Sequence, residues 1–132
     1  MRIQLEGAQR VSEQSLHEMR EYFRNVPTSF ERFLKEHIGA RIDADFPEDK
    51  APKLLGSSLP IVRLVKADEI VPVARNHPSL QDRYIPIGDD GGGNYMCISV
   101  DDGAVYYLDH DWSEFHFLSP RFEDWLDELV QA

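Results

Sequence analysis

YIPIGDDGGGNYMCISVDDGAVYYLDHD, residues 84–111, decides how this chain folds. It holds six aspartates, three consecutive glycines, and neither lysine nor arginine. Its centre, NYMCISV (residues 94–100), alternates with period two: Tyr95, Cys97 and Ser99 share one face, Met96, Ile98 and Val100 the other. Asp101–Gly103 is a turn of the Asp-Gly kind that suits a hairpin, and AVYYLDHD (residues 104–111) alternates back. Ahead of these, Tyr84–Ile87 predicts a short strand in which Pro86 marks a bulge or an edge. FHFL (residues 115–118) predicts a further strand. The result is an antiparallel meander.

Helices flank it. Ser119 and Pro120 supply an N-cap and an N1 proline, and Phe122, Trp125, Leu126, Leu129 and Val130 make one apolar face of a C-terminal helix. Near the N-terminus, Val11–Phe23 predicts a helix capped by Ser12, with Val11 and Leu16 as a hydrophobic staple and Leu16, Met19 and Phe23 as its stripe. Asn25–Pro27 interrupts it. TSFE (residues 28–31) is a capping box opening a second helix, in which Phe30, Phe33, Leu34 and Ile38 share a face and Gly39 takes the C′ position. Residues 40–59 predict a surface loop, and Ile61–Val65 a strand. Residues 67–83, with two prolines and no sustained period, predict a loop with a short turn of helix. The expected class is therefore α+β, a sheet with two N-terminal helices and one C-terminal helix, in a single domain over residues 1–132.

Composition supports a packed core: 42% of the 132 residues are hydrophobic and 11% aromatic. The single cysteine excludes an internal disulfide. No apolar run approaches a membrane helix, and the first residues lack a secretory h-region, so a soluble cytoplasmic protein is expected. Charge is strongly asymmetric. Residues 1–83 balance thirteen acids against thirteen bases, whereas residues 84–132 carry eleven acids and one base, Arg121, and so the whole net charge of −10. A nucleic-acid-binding surface would be basic, so this class is excluded. A basic partner fits, and so does a well-solvated face.

No constellation for chemistry is present. A phosphate-binding loop needs a lysine after its glycines and a helix beyond, but GDDGGGNY (residues 88–95) has no lysine and runs into a strand. Gly91, Gly92 and Gly93 are better explained as a connection needing positive φ. Asp109, His110 and Asp111, with His116 and Asp89 or Asp90, are metal-ligand types. In an extended chain, however, His110 would point away from Asp109 and Asp111, and no zinc or calcium pattern is complete. Cys97 lies mid-strand among apolar neighbours, as a small buried hydrophobe does. No catalytic residue, metal or cofactor is expected.

Pro86-Ile87, the Asp90–Tyr95 loop, the Met96-Cys97-Ile98 centre, the Val105–Asp111 ending and the Phe122–Leu129 helix together resemble the SUKH superfamily. That group includes yeast cell-wall-assembly regulators and bacterial toxin-immunity proteins. The opening helices are similar to the family's, less specifically. Departures are Leu108 where tryptophan is usual, HIGARI (residues 37–42) where Asn-Gly-Gly is common, and a missing Trp-x-Gly near the N-terminus. The resemblance implies a curved antiparallel sheet with helices around it and no enzymatic activity.

Two function classes follow: an immunity protein that neutralises a cognate toxin, most plausibly a basic nuclease-type domain, or a scaffold in cell-wall or stress signalling. The expected partner-binding residues are Asp89, Asp90, Asp101, Asp102, Asp109, His110, Asp111, Trp112 and Glu114, the acids forming one negative field at the loops of the meander. A protein partner is expected, with no direct nucleic acid, no membrane, and a monomer or weak homodimer.

Overall fold

Two amphipathic helices lead the chain. Helix α1 (Glu13–Tyr22) turns Ser15, Leu16 and Met19 inward, and Phe23 continues that stripe. Helix α2 (Thr28–Glu36) buries Phe30, Phe33 and Leu34. The computed structural model describes residues 13–36, 44–45, 63–90, 93–128 and 130–131. The expected Val11–Ser12 staple and cap, and Ile38 and Gly39 at the end of α2, lie outside them. The cap of α2 differs from the expected box. The amides of Phe30 and Glu31 both bond the Pro27 carbonyl at 3.1 Å, so Pro27 holds the capping position. The Glu31 carboxylate instead accepts from Arg20 Nε at 2.7 Å, which fastens α2 to α1.

Strands β1 (Ala44–Asp45) and β2 (Arg63–Leu64) are short, and the expected loop over residues 67–83 is largely a helix, α3 (Ala67–Asn76). Ala67, Ile70, Val71 and Ala74 form its buried stripe at helical spacing. Pro72 sits inside and cannot donate to the Asp68 carbonyl, a loss of about 3 kcal/mol. Burying Ile70 and Val71 contributes about 3–6 kcal/mol, which outweighs it. Gln81, at φ 52, closes the far end: its amide bonds the Ala74 carbonyl at 3.0 Å and its Nε2 the His77 carbonyl at 2.8 Å.

The meander follows as β3 (Tyr84–Asp89), β4 (Tyr95–Ser99), β5 (Val105–Asp109) and β6 (Glu114–Ser119). With β2 it forms an antiparallel five-stranded sheet in the order β2-β3-β4-β5-β6. Pro86 pairs with Cys97 but Gly88 with Met96, so the register slips by a bulge at Ile87. That bulge is how an interior strand accommodates a residue with no N–H. Along β4 burial does not alternate, for Met96, Cys97 and Ile98 are all fully buried. Cys97 and Leu108 share a face with Tyr84, Tyr106 and Phe115 by register. The Tyr84 ring on β3 stacks on Phe115 of β6 at 4.1 Å, reaching over two intervening strands. Flat strands would stand about 14 Å apart there, so the sheet is curved and its aromatics lean over Cys97 and Leu108.

Helix α4 (Phe122–Glu128) starts later than Ser119-Pro120 suggests. Ser119 is the buried last residue of β6, and the Trp125 amide bonds the Arg121 carbonyl at 3.1 Å, just ahead of the helix. The helix is also shorter than expected: Val130 belongs to strand β7 (Val130–Gln131), antiparallel to β1, and Leu129 lies outside the described residues. Phe122 receives the edges of Phe30 and Phe33 at 5.1 and 5.3 Å, which locks α4 to α2. The fold is thus α+β, with four helices among the described residues.

Candidate protein-binding site

Alternating strand directions send the three connections of the meander to two ends. The β3–β4 loop and the β5–β6 turn share one end, the β4–β5 turn the other. The nine expected partner-binding residues therefore divide. Asp89, Asp90, Asp109, His110, Asp111, Trp112 and Glu114 stand at the first end, and Asp101 and Asp102 at the opposite one.

Short hydrogen bonds fix the first end. Asp90 Oδ2 accepts from Asn94 Nδ2 at 2.9 Å and from the Tyr107 hydroxyl at 3.1 Å, and Asp90 Oδ1 accepts the Asn94 amide. Asn94 Oδ1 accepts the His110 amide at 2.9 Å and lies 2.6 Å from His110 Nδ1. The two loops are thereby sewn together. Gly93 between them has φ +91, a conformation that L side chains rarely adopt, while Gly91 and Gly92 lie outside the described residues. Burial, then the nearby Asp90 charge and its hydrogen bond, push the Tyr107 phenol well above its usual range, so it stays a neutral donor. Burial, with His110 second, lowers His77, whose ring meets Tyr95 edge-on at 5.7 Å.

The turn itself is sharp. The Asp111 amide bonds Asp109 Oδ1 at 3.0 Å, and Ser113 has φ 52. Because the strand stops at Asp109, His110 does not point away from its neighbours as an extended chain would require. One ligand atom from each of Asp109, His110 and Asp111 falls within 4.8 Å of the others. His110 Nε2 is 3.1 Å from Asp111 Oδ1, so its ring is engaged on both sides within the chain. What faces outward is Trp112, 75% exposed, with Asp111 and Glu114 exposed beside it.

At the other end the aspartates are also bonded within the chain, while staying exposed. Asp101 pairs with Arg24, just beyond α1. Asp102 caps the Ala104 amide at 2.9 Å and accepts the Tyr106 hydroxyl at 2.8 Å. Partial burial raises the Asp102 carboxyl, but the bonds from Ala104 and Tyr106 outweigh it, and the group titrates below the ordinary aspartate value. Gly103, at φ +74, completes this hairpin turn.

Two features escaped sequence reasoning. One is Asn94, whose side chain carries the loop junction. The other is Phe117, 61% exposed on β6; its period-two relation to Phe115 was the available signal. Cys97 is fully buried, and burial pushes its thiol far up, so it supplies no thiolate. No described helix is long and apolar enough to cross a membrane.

A curved sheet, a bonded loop pair and an exposed acidic-aromatic turn thus characterise this end of the fold. The chain belongs to the SMI1/KNR4 family (SUKH-1), whose model matches residues 10–128. It is also similar to an SPbeta prophage-derived uncharacterized protein, YokK, of Bacillus subtilis (strain 168), at 33% identity over 73 residues, taking in 44% of this chain and 38% of that protein. The match thus spans about two-fifths of that relative's length.

Proposed function

We propose that this chain is a non-enzymatic immunity protein that binds and neutralises a basic, nuclease-type toxin in the cytoplasm. The observation that carries this reading is the exposed Trp112 set among Asp109, Asp111 and Glu114, in a segment with no lysine or arginine between Arg83 and Arg121. A nuclease must present positive charge to its substrate, and the same charge attracts this surface. An interface of standard size covers about 800 Å² on each partner, enough to occlude a substrate groove. Acidic rim residues accelerate encounter, and an aromatic anchor holds the complex.

Surface plasmon resonance against the basic protein co-purified from the native host tests it. Association should slow markedly between about 50 and 300 mM salt, where the Debye length falls from about 14 to about 6 Å. Asp111→Asn should reduce the on-rate and Trp112→Ala raise the off-rate. An on-rate indifferent to salt, or several unrelated prey proteins in place of one toxin, would favour the signalling-scaffold alternative.

A further inference from the structure

Strand β6 is the last strand of its sheet, bonded only to β5 among the described residues. Exposed strand edges invite further pairing, and proteins usually blunt them with lysine, proline or very short strands. At the sheet's other end the described strand, Arg63–Leu64, is two residues long. By contrast β6 spans six residues, EFHFLS, with no lysine, arginine or proline. Phe117 stands 61% exposed on it. This ring ends a continuous aromatic strip: it meets Tyr106 at 6.0 Å, Tyr106 meets Phe115 at 6.5 Å, and Phe115 stacks on Tyr84.

The two faces of β6 differ. Phe115 and Phe117 share one, whereas Glu114 and His116 share the other, where Glu114 pairs in register with Asp109. We propose that β6 is a docking edge for an extended segment of the partner in which apolar and basic residues alternate. Added as a sixth strand, such a segment lays its apolar side chains beside Phe115 and Phe117 and its basic ones beside Glu114 and Asp109. Backbone hydrogen bonds supply the affinity and alternate side chains the selectivity. Charge disfavours a second copy of this chain as the occupant, since residues 84–120 of each copy carry only acids and histidines. The inference rests on the reading of a basic protein partner and specifies how that partner is held.

The test uses the whole chain with a labelled ten-residue peptide of alternating valine and lysine. Its controls are the same peptide with aspartate for lysine and one interrupted by proline. Binding of the first peptide alone, amide-exchange protection appearing in residues 114–119, and at least a tenfold affinity loss in Phe117→Lys are expected. Phe117 is exposed, so circular dichroism should find that variant folded. Equal binding of the aspartate or proline peptide, or protection elsewhere, would overturn strand addition. Protection of β6 that grows with protein concentration and needs no peptide would replace the proposed occupant with a second copy. If Phe117→Lys still holds the co-purified basic protein, strand addition fails while the immunity reading stands. If the wild-type chain retains no basic protein, both fail.

Discussion

Asn94 Oδ1 lies 2.6 Å from His110 Nδ1 while also accepting the His110 backbone amide. Asn94 Nδ2 is committed to Asp90, so the oxygen must face the histidine, and the ring nitrogen there carries the hydrogen. One amide side chain thus joins the β3–β4 loop to the β5–β6 turn. Asn94→Ala should destabilise the chain by about 1–3 kcal/mol, because it leaves half-buried partners unsatisfied. Asn94→Asp should do no better, since it turns a second carboxylate oxygen toward Asp90. Urea unfolding decides; an unchanged midpoint in both variants would remove the junction's structural role.

At Gly93 the obstacle is backbone, not space. A Cβ there would meet the His110 ring at 3.5 Å, an ordinary contact, but φ is +91. Gly93→Val should therefore cost about 1–3 kcal/mol, and Gly93→Asn, which tolerates positive φ better, distinctly less. Equal thermal midpoints for valine and asparagine would contradict this account.

Asp102 makes stability depend on acid. Its folded carboxyl titrates below the ordinary value, so its contribution is complete above about pH 4 and is lost as pH falls through the folded value. Wild type should accordingly lose more stability between about pH 5 and pH 2 than Asp102→Asn does. Chemical denaturation across that range measures it. Parallel pH profiles for the two proteins would mean that Asp102 carries no such linkage.

The Asp109–Asp111 cluster should bind ions only weakly. Calorimetric titration with Ca²⁺, Mg²⁺, Zn²⁺, ATP or GTP is expected to give nothing tighter than about 0.1 mM. A micromolar isotherm removed by Asp109→Ala would make the turn a metal site instead.

Legibility followed the length scale of the interaction. The β3–β6 meander could be read because its period and its Asp-Gly turn are local signals. Helix α3 could not, because Pro72 and Pro78 are local breakers whereas the stripe that overrides them is set by burial against distant residues. Ser119-Pro120 imitates a helix start, yet Ser119 still pairs with Val105 in the sheet. For the site, composition located the acids but not their uses. Asp90 and Asp102 spend their oxygens on neighbouring amides and tyrosines, as short carboxylates in turns often do. Asp101 is joined to Arg24, a partner 77 residues away. Asp101, Asp111 and Glu114 stay largely exposed although each has a basic partner within the chain, and Trp112 is the exposed apolar member of the expected set.

The packing of Phe30 and Phe33 on Phe122 has a consequence for synthesis. The ribosome releases α1 and α2 roughly 90 residues before α4, an interval of about 5–20 s at ordinary elongation rates. Throughout it, Phe30 and Phe33 have yet to meet Phe122. A nascent chain stalled near residue 80 should therefore bind chaperones and succumb to protease, and one extended past α4 should become resistant.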